Sequence, residues 1–481
     1  MTPALLLLAA VAAWATAVAG TLLSVSVVIG IAAVAAIAAI AMRRRAMVAA
    51  IAIGVALAAM SAAVHVHALR SGPVASLAHR HATADFVARL VRDPQAVTTT
   101  SGSSLFIADA TVVEIVGSHS QSANTPVLLM SYDAGLRDLL PGQRIGATGR
   151  FSPPRPHDDV AAVVDLRGGP RLLGEPPWWQ RVAGHARAAL RLACLGLPPD
   201  PRGLVPSLVE GDTSGVPEAL QTDMRVTGLT HLEAVSGENL TIVLGVVSAL
   251  ARGVGLRRRS RVFVAALAVL SFVWLARPSP SVLRAAVMSA VVLLARFAGR
   301  RTSALPTLSL AVIVLVTLDP FLARAVGFVL SVVATAAIVV IAPGWTVRLE
   351  RWLPRPVAIA VAVPAAAQLA CTPVLVIAFG QLTPYAVPAN LVASPGVAPA
   401  TILGLIAAAS ASASTTTARP IAWLAALPTT FVAWAAHGFA AMPGAAVTLS
   451  RISAVVVASV VAATLLRIVK RRVGTYRREI L

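Results

Sequence analysis

Three apolar stretches, near residues 4–20, 22–42 and 46–64, open the chain, and each is close to the ~20 residues an α-helix needs to cross a bilayer. Residues 65–97 are mixed and read as a helical linker. From Thr98 to about Glu175 the period changes. SSLFIADATVVEIVG, TPVLLMSYD, QRIGATGRF and VAAVVDLRG are rich in Val, Ile and Thr and are separated by Gly, Pro, Asn and Asp, the signature of short β-strands. Four or five such strands in residues 98–175 predict a small barrel. The segment 176–202 then carries WWQRVAGHARAALRLACLGL, with aromatics at one end and Arg181, Arg187 and Arg191 along it, an amphipathic helix suited to a membrane interface. Residues 203–472 form a second helical part, with apolar helices near 262–276, 281–299, 303–318, 324–343, 356–380, 384–409, 420–442 and 450–469. A short basic tail, 473–481, follows.

The transition at residues 203–251 organises the rest. Its purely apolar part starts only at Leu240 and ends at Ala251, too short to span. The crossing must therefore include THLEAVSGEN, which brings the expected number of spans to twelve. A helix starting near Leu232 places Glu238 roughly 9 Å below the surface, where an ionisable side chain is costly and marks a functional position. Glu233 has a second reading, because Thr230 and Glu233 have the T-x-x-E spacing of a capping box. Gly237 after Ser236 permits a break, and interrupted helices with polar turns recur at membrane substrate sites. The same theme returns at Pro364, Gln368 and Pro373, and at Pro388, Asn390, Pro395 and Pro399. The predicted path is lined by His231, Glu233, Ser236, Glu238, Asn239, Arg284, Gln368 and Asn390. Arg284 is expected to pair with Glu238, to hold a phosphate, or to snorkel outward.

Composition agrees with a polytopic α-helical membrane protein: 57% of residues are hydrophobic and 12% charged. The charge is uneven. Residues 1–238 hold 18 Lys+Arg and 17 Asp+Glu, whereas residues 239–481 hold 22 and 3. Most of this excess follows the positive-inside rule, since Arg43 to Arg45, the RRRSR run, Arg300 and Arg301, Arg348 to Arg355, Arg419 and Lys470 to Arg472 all fall on one side of a single topology. That topology places both termini in the cytoplasm and residues 65–230 outside. The N-terminal helix lacks a positively charged start and reads as a retained span rather than a signal peptide. Cys194 and Cys371 have no metal-type spacing, and the i,i+2 histidine pairs His65/His67 and His79/His81 do not share a helix face. No GxSxG, P-loop or HExxH occurs, so no catalytic centre, metal or cofactor is expected.

GDTSGVPEALQTDMRVTGLTHLEAVSGENLTIV, RPSPSVLRAAVM, LDPFLARAVGFVLSVVATAAIVVIAP and QLACTPVLVIAFGQLTPYAVPANLVASPGVAP together resemble the signature regions of the ComEC-type competence proteins. PGQRIGATGRF is similar to their extracytoplasmic OB-like domain. The resemblance implies a channel that takes up single-stranded DNA across the plasma membrane in natural transformation, with an extracytoplasmic DNA receptor, a cytoplasmic motor and a separate nuclease as partners. There are departures. Glu238 and Asn239 stand where many members have a neutral residue or histidine, and Val329 stands where they have glutamine. Only nine residues follow Arg472, so the C-terminal metallo-β-lactamase-like domain of many members is not expected. The residues alone also fit a proton-coupled transporter of a small solute, with His231, Glu233 and Glu238 titrating, or a degenerate scaffold.

Overall fold

Helices dominate the computed structural model, which describes residues 3–42, 45–98, 103–116, 121–137, 139–155, 158–233, 237–276, 280–299 and 303–478. Its contacts divide into two units: Leu8–Ala186 with Leu315–Phe321, and Met1–Leu7, Arg187–Val314 and Leu322–Leu481.

The first unit begins with α1 (Pro3–Leu22), α2 (Val25–Ala41) and α3 (Ala46–Arg70). Small side chains let α2 and α3 approach closely, with Val28, Ala32, Ala59, Ala62 and Ala63 buried together. A short helix, α4 (Pro73–His79), leads into β1 (Thr83–Leu90), β2 (Gln95–Thr98), β3 (Ser104–Val116), β4 (Gln121–Ser131), β5 (Arg144–Ser152), β6 (Ala162–Leu166) and β7 (Arg171–Leu172). Five of these close a ring. β1 pairs antiparallel with β3 and with β5, β3 with β4 and β5 with β6, while β4 and β6 run parallel. β2 and β7 extend β3 and β5. Register shifts at Val87/Ala88 and near Val112 to Glu114 supply the curvature that closure needs. The interior is filled by Phe86 and Phe151, edge to face with centroids 5.3 Å apart, and by Leu90, Phe106, Val127, Leu129, Ile145 and Val164. The four strands read from alternation are present as β3, β4, β5 and β6. The sheet nevertheless begins at Thr83, inside the stretch read as a helical linker. At the bulge β1 buries three successive residues, Phe86, Val87 and Ala88, so it shows no alternation to read.

The second unit takes in α5 (Trp178–Cys194) from Arg187 on, and then α6 (Pro199–Glu210), α7 (Glu218–Val226), α8 (Thr230–Glu233) and α9 (Gly237–Gly253). It continues through α10 (Arg258–Ala276), α11 (Pro280–Phe297), α12 (Ala304–Leu318, shared with the first unit), α13 (Val326–Val340), α14 (Ala342–Leu349) and α15 (Arg355–Phe379). The last elements are β8 (Gln381–Leu382), α16 (Ala386–Ala413), α17 (Thr415–Ala440), β9 (Val447–Thr448) and α18 (Arg451–Arg478). Among the described residues six helices are long and apolar enough to cross a membrane, drawn from α1, α3, α10, α15, α16 and α18. The count is seven if α13 and α14 form one bent span; α2 and α12 are apolar but shorter. The helix expected over 324–343 is α13, and the chain then turns by 45° into α14, which has Pro343 in its first turn. Phe263, Leu270, Ile377, Leu427 and Ile452 face outward and are each more than half exposed, an apolar surface that a bilayer would cover.

Candidate functional site

α6 is the structural centre of the second unit. It carries Asp200 in its first turn and Glu210 in its last, yet Gly203 through Glu210 are all buried. Leu204 and Leu208 pack with Ala389, Ala393, Val397 and Ala400 of α16 and Val432, Ala433, Ala435 and Ala436 of α17; Val205 and Val209 pack with Ala407, Ala422 and Ala425. Small residues on α16 and α17 open the groove that holds it. Gly203 is required by space, because a Cβ there would lie 2.2 Å from the Gly215 carbonyl oxygen.

Two hydrogen bonds tie α6 to the next segment. Ser207 Oγ donates to the Glu233 carbonyl at 2.8 Å, and Asn239 Nδ2 donates to the Leu208 carbonyl at 2.8 Å. They join α6 to Glu233 of α8 and to Asn239 of α9; residues 234–236, where the sequence permits a break, lie outside the described residues. Before α8, Gly228 adopts φ +72, a left-handed conformation that ends α7, and packs against Ala386 and Thr383.

The predicted site residues fall around α8 and α9. His231 is exposed, with Nδ1 donating to the Gly228 carbonyl at 3.1 Å. Glu233 is buried, and its Oε1 has no hydrogen-bond partner among the described residues. Glu238 is exposed and Asn239 buried. Gln368 on α15 donates Nε2 to Thr383 Oγ1 at 3.3 Å, joining the Gly228 contact. Asn390 lies half-buried one turn into α16, and its carbonyl accepts from Ser394 Oγ. Ser236 lies outside the described residues.

Arg284 corrects the expectation of an ion pair with Glu238. Its side chain is 7% exposed, and it donates Nε to Ser331 Oγ at 2.8 Å and Nη1 to Met288 Sδ at 3.3 Å. The residue facing the guanidinium is Gly237, where a Cβ would stand 3.0 Å from Nη2. Adjacent helix positions point about 100° apart, so Glu238 looks elsewhere.

Several polar residues of this unit lie outside the predicted path; the sequence marks Arg187 and Arg191 only as part of an amphipathic helix, and does not single out Asp200, Asp223 or His437. Asp200 and Asp223 sit on either side of His437, and Arg187 donates Nε to the Leu275 carbonyl at 3.0 Å. Arg191 pairs with Asp212 at 3.4 Å. His437 is the one ionisable side chain between Arg419 and Arg451, and that isolation in apolar sequence was the available signal. Among the described residues no group of three or more His, Cys, Asp or Glu side chains is placed to hold a metal ion.

Six apolar helices of spanning length define a membrane protein, in which polar side chains of α6, α8, α9 and α11 lie close together. The competence protein family matches residues 208–473, more than half of the chain, and the chain belongs to that family. Over 199 residues it is 28% identical to ComE operon protein 3 of Bacillus subtilis (strain 168), a match covering 41% of this chain and 25% of that protein. No solved structure matches.

Proposed function

We propose that this protein forms the passage by which single-stranded DNA crosses the plasma membrane during natural transformation, with the polar residues of α8 and α9 at its heart. One observation carries the reading: in a member of the competence family, His231, Glu233, Glu238, Asn239, Arg284 and Gln368 gather around α8 and α9 rather than scatter over the bundle. In this passage Arg284, buried and bonded only to neutral partners, is the cation available to a passing phosphate. Twelve helices cross the membrane, residues 65–230 lie outside and both termini are cytoplasmic. The five-stranded ring corresponds to an OB-type barrel. It serves as a docking platform rather than a base-stacking surface, because Phe86, Phe106 and Phe151 are buried and Tyr132 is the exposed aromatic of its strands and loops. The chain carries out no reaction of its own. A receptor outside, a motor inside and a separate nuclease complete the route.

The test is uptake of labelled DNA by a strain lacking this gene. Surface-bound DNA should persist while the fraction protected from external nuclease disappears, with small-solute uptake unchanged. Normal internalisation of DNA would overturn the proposal.

A further inference from the structure

His437 stands near the end of α17 with a carboxylate at each ring nitrogen: Nδ1 lies 2.6 Å from Asp223 Oδ2 on α7, and Nε2 lies 3.0 Å from Asp200 Oδ2 on α6. A neutral imidazole has one donor and one acceptor, whereas an ionised carboxylate only accepts. A neutral ring can therefore satisfy one aspartate and must turn a lone pair toward the other. The imidazolium satisfies both, with charge-assisted bonds. The three side chains are 38%, 32% and 29% exposed, so the ring exchanges protons with solvent rather than being sealed from it. The other ionisable groups on the elements packed against α17 are Arg202 and Glu210 of α6, Glu218 and Arg225 of α7, and Arg181, His185, Arg187, Arg191 and Cys194 of α5, which meets α17 near Ala418 and Ala422, at the far end from His437; α16 has none. The imidazole's hydrogen bonds go to the two aspartates.

The bonds join residues 237 and 214 positions apart in the chain. They fasten α6 and α7, the two helices that precede α8, onto α17. α6 in turn holds the carbonyl of Glu233 through Ser207 and the side chain of Asn239 through Leu208.

We propose that Asp200, His437 and Asp223 form a proton-operated clamp, closed when His437 is an imidazolium, which fixes α6 and α7 on α17 and thereby sets the positions of Glu233 and Asn239, which α6 holds. Its ligand is the proton. Loss of that proton leaves one carboxylate facing a lone pair and loosens the segment 199–227 without unfolding the bundle. The clamp does not depend on what passes through the protein.

The full-length protein in lipid nanodiscs tests this by hydrogen exchange, with β3 to β5 as internal reference. In the wild type, protection of peptides from 199–227, corrected for intrinsic exchange, falls by about tenfold or more as the pH is raised through the imidazole titration. His437→Gln, which keeps a polar group and cannot be charged, removes that dependence. Asp200→Asn and Asp223→Asn each leave the ring one counter-charge short, and the transition moves to lower pH. If His437→Gln does not give folded protein, the two Asn variants decide. Wild-type protection that stays flat across the titration overturns the clamp. So does a His437→Gln profile that keeps the wild-type dependence, or a midpoint unmoved in both Asn variants.

Discussion

Glu210 ends α6 with both carboxylate oxygens buried and without a hydrogen-bond partner among the described residues. α6 is not one of the candidate spans, and burial pushes this carboxyl up from 4.5 to about 8, partly offset by Arg187. The unfolded chain ionises near 4.5 while the folded one keeps its proton until about 8, so this group costs stability progressively as pH rises through that window. Glu210→Gln removes the cost. Thermal unfolding in detergent should show variant and wild type alike at the acidic end, with the variant's advantage growing toward pH 8 and constant beyond. Arg187 keeps its bond to the Leu275 carbonyl in the variant. Gly203→Ala should act at any pH. Its Cβ would collide with the backbone of Gly215, which cannot rotate away, and the cost is about 1–3 kcal/mol. Gly245→Ala, with nothing within 4 Å, is the control and should leave the melting temperature unchanged or raise it. Residues of this kind divide what the sequence revealed. His231, Glu233 and Asn239 stand out in the sequence because the apolar run that follows, from Leu240 to Ala251, is too short to span without them. Asp200 and Asp223 do not, since an aspartate in a polar, turn-rich stretch looks solvated until α17 delivers His437 to it. The Arg284 to Glu238 pairing failed for a geometric reason, because a one-residue difference in helical phase put Gly237 against the guanidinium instead.

At the scale of elements, β1 has the sharpest consequence. It is hydrogen-bonded on both sides, to β3 and to β5, and contributes Phe86, Ala88 and Leu90 to the interior. A fragment beginning at residue 98 keeps the strands that the alternation marks and loses the one that closes the ring. Fragment 73–175 should therefore give cooperative unfolding by circular dichroism, and 98–175 should not; equal behaviour would show that β1 is dispensable. The folded fragment should bind single-stranded DNA weakly at best, since stacking needs exposed rings and Tyr132, 69% exposed, is the one such ring on its strands and loops. Strands with one buried face were readable from sequence, and β1 was hidden because its bulge buries consecutive residues. The bend between α13 and α14 was hidden differently, as unbroken apolar sequence gives no sign of a 45° change in axis beyond Pro343.

For the molecule as a whole, basic residues cluster at connections such as Arg252 to Arg261 and Arg348 to Arg355, and these set the proposed orientation. In a background with Cys194 and Cys371 replaced by alanine, a cysteine at exposed Tyr132 should react with an impermeant reagent added outside intact cells. One at Trp352, 85% exposed, should react only after permeabilisation. Reversed labelling would invert the topology. The groove that receives α6 has a further consequence, for synthesis rather than for the finished protein. α6 precedes by more than 200 residues the histidine it meets, and the same holds for the alanines of α17 that cover Leu204 and Leu208. At roughly 5–20 residues per second, that interval lasts on the order of tens of seconds. Throughout it, α6 has been made but lacks the α17 face it packs against, so one of the last helices to leave the ribosome decides whether the groove around α6 is ever completed.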